Sequence, residues 1–200
     1  MSQPDFEAAK QYALHRLENE LAADLFYHSL RHTKDKVLPA VIRLATMMNI
    51  GQEERILLEV AACYHDIGFI VQREEHEQIG SDIVRQILPR FDFTPAQIEQ
   101  IVGLIMATRV PQSPHNVLEE IMADADLDVL GREHDFWLRN KDLRSELAAY
   151  GEVLTDAEWY LRQSTFLQEH DYFTPAAQAL RYAGKQKHIN QLKDKLSNLL

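Results

Sequence analysis

Residues 53–68 read EERILLEVAACYHDIG, and the fold turns on how this stretch is read. A helix is expected from about Glu53 to Asp66, with Gly51 before it and Gly68 just beyond. The apolar run Val60–Tyr64 ends abruptly on two adjacent ionisable residues, His65 and Asp66. Neighbouring side chains on a helix diverge by about 100°. The pair can therefore address one point in space only at a fraying helix end, and Gly68 permits that geometry.

Outward from this stretch the chain reads as helix after helix. Asp5 or a neighbour caps a first helix expected to reach about Leu25. Val37, Leu38, Val41, Ile42, Leu44, Ala45 and Met48 form an apolar stripe at helical spacing over about His32–Asn49. On the C-terminal side a helix is expected over Glu75–Leu88, closed by Pro89. Thr94-Pro95 is a start signal, with a capping hydroxyl followed by proline at the first helical position, and that helix is expected to reach about Thr108. A further helix is expected over Asn116–Leu130, ending at Gly131. Thr155-Asp156 and Thr174-Pro175 mark later starts, giving two or three helices in the last third. No alternating strand pattern and no repeat is present, so the expected class is all-α. Residues 1–131 form the main domain with its N-terminal helix, and 132–200 a helical extension packed on the same domain.

With 200 residues, 46% hydrophobic and 26% charged, the chain can bury a full core without staples. A net charge of −10 without a compensating basic cluster argues against polymeric nucleic acid and anionic membranes as partners. The Lys185–His188 stretch reads as a solvated helix face. Cys63 is the only cysteine, which excludes a disulfide framework and a thiolate zinc motif; within Ala61-Ala62-Cys63 it reads as buried and inert. The first residues, Met1–Asp5, lack signal-peptide character, and no apolar run approaches the roughly 18 residues that suggest a membrane span. The expected location is cytoplasmic.

Three segments carry the chemistry. Tyr27-His28-Ser29-Leu30-Arg31-His32-Thr33 lies upstream of His65-Asp66, and Asp124-Ala125-Asp126-Leu127-Asp128 lies downstream. Helical proteins build metal sites by aiming ligands inward from different helices. Imidazole nitrogen with carboxylate oxygen suits manganese, iron, magnesium, cobalt or zinc without choosing sharply among them. His28 stands four residues before His32, so both can face one side, and His28 is placed to act as a general acid. His76 is a candidate for a second metal, for contact with phosphate, or for a surface role. Arg109 is a candidate for gripping an anionic substrate through forked hydrogen bonds. On one continuous helix Asp124 and Asp128 share a face and Asp126 points away, so spacing alone leaves the last ligand open between Asp126 and Asp124. His15, His115, His134, His170 and His188 have no motif around them and read as structural or exposed.

These segments resemble the HD superfamily of metal-dependent phosphohydrolases over about residues 20–131. The order His32, His65-Asp66, Asp126 matches the H…HD…D signature. Tyr27–Thr33 is similar to the first motif of cyclic-nucleotide phosphodiesterases, which implies a proton-donating role for His28 and a metal-binding role for His32. Ala125-Asp126-Leu127 resembles the final motif of the stringent-response nucleotide hydrolases and favours Asp126. The whole chain is similar to bacterial proteins described as predicted HD-superfamily phosphohydrolases. One departure is that Ile105–Thr108 contains no histidine where two-metal members supply one, so one metal is expected, with His76 available to a second.

The resemblance implies hydrolysis of a phosphomonoester, diester or anhydride of a small molecule, a nucleotide foremost. Catalysis would rest on His28 and Asp66, the metal on His32, His65, Asp66 and Asp126, and substrate contacts on His76 and Arg109. A homodimer is compatible with the sequence. Two rivals stand beside this reading: a di-iron oxygenase, which needs a fuller ligand shell, and a non-catalytic sensor binding nucleotide and metal.

Overall fold

Gly51 leads in extended conformation into α4 (Gln52–Tyr64), and Glu53 and Glu54 fill its first turn, where the helix dipole favours negative charge. In the computed structural model, which describes residues 4–199, Leu57, Leu58 and every residue from Val60 to Tyr64 are buried. The cause is the packing of α1 (Phe6–Glu20), α3 (Leu38–Met47), α6 (Pro95–Met106) and α7 (Val117–Asp126) around α4. The end of α4 from Val60 onward is enclosed and has no solvent face to keep polar, which accounts for the unbroken apolar run there. Burying a valine- or leucine-sized side chain is worth about 1.5–3 kcal/mol, so the last turns of α4 are a firm support for His65 and Asp66. The Tyr64 hydroxyl donates to the Ala9 carbonyl at 3.0 Å and ties α4 to α1. Burial pushes the Cys63 thiol up to about 12, which leaves it inert at neutral pH. Met1–Gln3, part of the stretch read as lacking signal-peptide character, and Leu200 lie outside the described residues.

The secondary structure of the described residues is all helical, as expected. Local caps account for several starts. Asp5 accepts from the Ala8 amide at the head of α1. Thr94 forms a capping box with Gln97 at α6, and Thr155 does so with Glu158 at α9 (Asp156–Glu169). Thr174 caps α10 (Pro175–Ser197).

Three expected boundaries need correction. The first helix ends at Glu20, not near Leu25, because Leu21 turns extended. The helix expected over His32–Asn49 is interrupted: α2 (Leu30–His32) passes into a π-helical turn, Thr33–Val37, before α3 begins. In that turn the Leu38 amide bonds back to the Thr33 carbonyl, five residues away. Pro39, the second residue of α3, explains the widening, since its ring lacks an N–H and crowds the carbonyl four residues earlier. The helix expected to reach Leu130 ends at Asp126, and a separate 3₁₀ turn covers Asp128–Gly131. The premise that placed Asp124 and Asp128 on one helical face therefore fails.

The chain divides into two compact units. The first contains the chain up to Ala22 and His28–Asp126; the second contains Ala23–Tyr27 and everything from Leu127. In the first, α5 (His76–Ile87) packs on α6 and on the 3₁₀ turn Ile67–Ile70 that succeeds Asp66. In the second, α10 packs on α9 and on the 3₁₀ turn Asp128–Gly131. That approach is close enough that a methyl group on either Gly131 or Gly184 would overlap the facing backbone. It buries Lys185 and His188, so two members of the stretch read as a solvated basic face are interior, while Lys187 stays exposed in an ion pair with Glu133. Lys185 donates to the His170 carbonyl, and His188 Nδ1 donates to the Leu130 carbonyl at 2.8 Å. Arg139, on α8 (Phe136–Ala149), donates to the carbonyls of Phe26 and Tyr27 and holds that segment in the second unit. Among the described residues no helix is long and apolar enough to cross a membrane.

Candidate metal centre

Every member of the centre sits where a helix stops or deforms. His32 closes α2 immediately before the π-helical turn. His65 still has helical dihedrals, φ −57° and ψ −38°, but Asp66 leaves the helix at φ −98° and ψ 6°. The expectation of a helix end at this pair therefore holds, and the two side chains turn toward one point. Asp126 is the last residue of α7, and Leu127 breaks the helix behind it.

His32 Nε2 lies 3.0 Å from Asp126 Oδ1 and 3.7 Å from Asp66 Oδ2. His65 Nε2 lies 3.1 Å from Asp66 Oδ2 and 3.4 Å from Asp126 Oδ1. His32, His65 and Asp66 are almost wholly buried. His65 Nδ1 donates to the Ala62 carbonyl at 2.8 Å, which leaves Nε2 facing the carboxylates; ring anchoring of this kind orients metal-binding histidines. The buried atoms His65 Nε2 and Asp66 Oδ2 make no hydrogen bond despite their proximity. Burying polar atoms without partners is costly.

The charges point the same way. Burial lowers the pKa of His32, and the nearby Asp126 and Asp66 do not reverse it. At His65 burial also pulls downward, but Asp66 and Asp126 outweigh it and hold the imidazole well above its ordinary value. Burial alone would raise Asp66 and Asp126; their histidine neighbours instead hold both well below the usual carboxylate range. Two carboxylates facing one protonated imidazole leave the centre net negative.

A divalent cation fits this chemistry. Donors about 2.1 Å from an ion stand about 3.0 Å apart at octahedral angles and about 3.4 Å apart at tetrahedral ones. Three separations between facing imidazole and carboxylate atoms, 3.0, 3.1 and 3.4 Å, fall in that range, and the His32–Asp66 separation of 3.7 Å lies just above it. His32, His65 and Asp66 each offer a ligand atom within 4.8 Å of the others, and Asp126 closes on both histidines. Asp124, the alternative final ligand, is fully buried in α7; Asp126 stands 3.0 Å from His32 and 3.4 Å from His65.

The other expected site residues surround Asp66 unequally. His76 begins α5, after Glu75 in the left-handed region at φ 54°. Its Nδ1 donates to the Arg73 carbonyl at 3.1 Å, and its Nε2 stands 3.7 Å from Asp66 Oδ1 and 3.6 Å from Glu77 Oε1. Gly68 lies directly against the His76 backbone, with no room for a β-carbon. His28 stacks on Phe69 with ring centroids 4.2 Å apart, and it lies 6.3 Å from the His32 ring. Arg109 is half-exposed in an ion pair with Glu75 at 3.3 Å. Thr108, in the segment that contains no histidine, turns its hydroxyl to the Ile105 carbonyl at 2.7 Å.

Glu77 and Phe69 were missed from sequence. The adjacency His76-Glu77 was a usable signal for the first. Nothing in the pattern distinguished Phe69 from a core aromatic.

The arrangement defines a class: an all-helical protein with a buried, negatively charged histidine–aspartate centre suited to a divalent cation. The family model described as HD domain matches residues 25–128, just over half of the chain. The protein belongs to the HD domain family, which places it among metal-dependent hydrolases. No solved structure matches the chain.

Proposed function

We propose that the protein is a metal-dependent phosphohydrolase acting on a small phosphorylated molecule, a nucleotide foremost, as a monoester, diester or anhydride. The observation that carries this reading is the convergence of His32, His65, Asp66 and Asp126 into one buried, net-negative centre with unbonded donor atoms. These four are the proposed ligands for manganese, iron, magnesium, cobalt or zinc. When bound, such an ion supplies an activated water nucleophile and neutralises charge on phosphoryl oxygens.

The protein's own groups do the rest. His28 donates a proton to the leaving oxygen, and its ring stands close to both His32 and His76. His76, fixed through Nδ1, presents Nε2 on the Oδ1 side of Asp66, where it meets the phosphoryl group; a second, weaker ion would bind on that side. Arg109 transfers from Glu75 to the substrate anion, and the exposed pair it leaves is worth only about 0–1 kcal/mol. The expected setting is cytoplasmic, with a small substrate rather than polymeric nucleic acid or membrane, and with a homodimer as the assembly to test. Thr108 supplies no imidazole, which weighs against a di-iron oxygenase.

The test is phosphate release from a panel of nucleotides and phosphoesters by metal-stripped protein reloaded with each ion. Turnover that needs metal and disappears in Asp66→Ala is expected. Metal and nucleotide binding without release under any ion would instead favour a sensor.

A further inference from the structure

Three residues beyond Asp66, on the 3₁₀ turn Ile67–Ile70, Phe69 is buried while both histidines in contact with it are only half-buried. His28 lies nearly parallel to its ring, at 4.2 Å and 18°. His76 lies against it at 4.1 Å and 36°. The two imidazoles are 6.0 Å apart. One aromatic ring therefore contacts both histidines. Flat rings at this range prefer particular offsets and tilts, so Phe69 constrains ring orientation as well as filling space. His76 is also fixed by its Nδ1 bond to Arg73 and by the tight seat of its backbone on Gly68. Phe69 thus relates His28 to a fixed imidazole, and its own backbone is continuous with Asp66.

We infer that Phe69 is a positioning residue that holds His28 and His76 in one mutual orientation beside Asp66, so that proton donation and phosphoryl contact act on the same substrate. Its role in turnover rests on the phosphohydrolase reading; its effect on the two rings does not.

The test compares Phe69→Leu, which keeps apolar volume but removes the flat face, with Phe69→Tyr, which restores it. In Phe69→Leu, kcat on whichever panel phosphoester the wild type turns over is expected to fall about 10- to 100-fold, the scale on which general acid catalysis contributes. KM and manganese affinity by calorimetry should stay within about twofold, and Phe69→Tyr should recover most of the loss. Wild-type kcat in Phe69→Leu, or a loss that tracks reduced manganese binding, would overturn the proposal. Should the wild type release no phosphate from any probe, the phosphohydrolase reading fails separately, and the ring geometry is decided by NMR on histidine-labelled, magnesium-loaded protein. Loss of the His28–His76 ring contact in Phe69→Leu, with retention in Phe69→Tyr, would uphold the positioning role. An unchanged contact would refute it.

Discussion

Both units bury charge, but they treat it differently. In the second unit Asp128 is almost fully buried and is clasped by Arg132 and by Arg181, whose Nε stands 2.7 Å away. His188 donates to a carbonyl and stacks on Phe136 at 4.1 Å. Asn140 bonds both Gln163 and Trp159. In the first unit His65 Nε2 and Asp66 Oδ2 are buried and unbonded within a net-negative cluster. The contrast separates two uses of interior polarity. Where opposite charges and donors are matched, the group stabilises the fold; where two carboxylates converge on buried imidazoles with net negative charge and unbonded atoms, the structure is prepared for a cation.

Asp66→Ala should break this contrast most severely. Turnover should fall to background, and the thermal stabilisation of wild type by manganese or zinc should disappear. An ion at about 100 times its Kd stabilises a native protein by about 2.7 kcal/mol, so the lost shift is readily measured. A variant that is still stabilised by metal as strongly as wild type would remove Asp66 from the ligand set.

Asp128→Ala should show the opposite pattern. Removing one partner of a buried pair costs about 3–5 kcal/mol, so a loss of about 3 kcal/mol in urea unfolding is expected, with metal affinity per folded molecule unchanged. In the absence of metal, Asp66→Ala should cost less than this, because the loss of its attraction to His65 is offset by relief of repulsion from Asp126. If metal-free Asp66→Ala proves the more damaging, the first centre is a structural cluster and the distinction between the units fails.

What could be read from sequence divides along similar lines. Caps at Asp5, Thr94, Thr155 and Thr174 were legible because a cap is a bond between residues three apart. His65 and Asp66 stand out because adjacent ionisable residues at the end of an apolar run are chemically conspicuous, whereas His32, in the separate Tyr27–Thr33 segment, takes its metal-binding role from the family resemblance. Asp126 was obscured by the assumption of a helix continuing to Leu130, when no glycine or proline before Gly131 announces the break. The widened turn after His32 was in principle readable from Pro39. Lys185 and His188 were misread because their burial depends on a glycine-to-backbone approach between residues more than fifty apart. The role of Phe69 depends on three rings from separate segments, and no periodicity encodes that.

His170 offers the finest test of the comparison, since its ring, like Arg139 Nε, is an exception within the second unit. Its ring is buried and both nitrogens lack a hydrogen bond, while Lys185 donates to its carbonyl. Burial first, and then the charge of Lys185, push its pKa down to about 4, with Asp171 opposing weakly. Above pH 6.5 the imidazole is neutral folded or unfolded and contributes no pH dependence. Between pH 6.5 and 4 the unfolded chain binds the proton and the folded chain does not, so stability falls as pH falls. From pH 8 to pH 5 this group alone should remove about 2 kcal/mol, and wild type should lose that much more than His170→Phe in paired denaturation curves. An NMR titration in which His170 protonates near pH 6.5 would mean that water or a counter-charge reaches the ring. Among the described residues the second unit would then contain no unmatched buried imidazole, and unbonded buried imidazole nitrogen would become a feature of the metal centre.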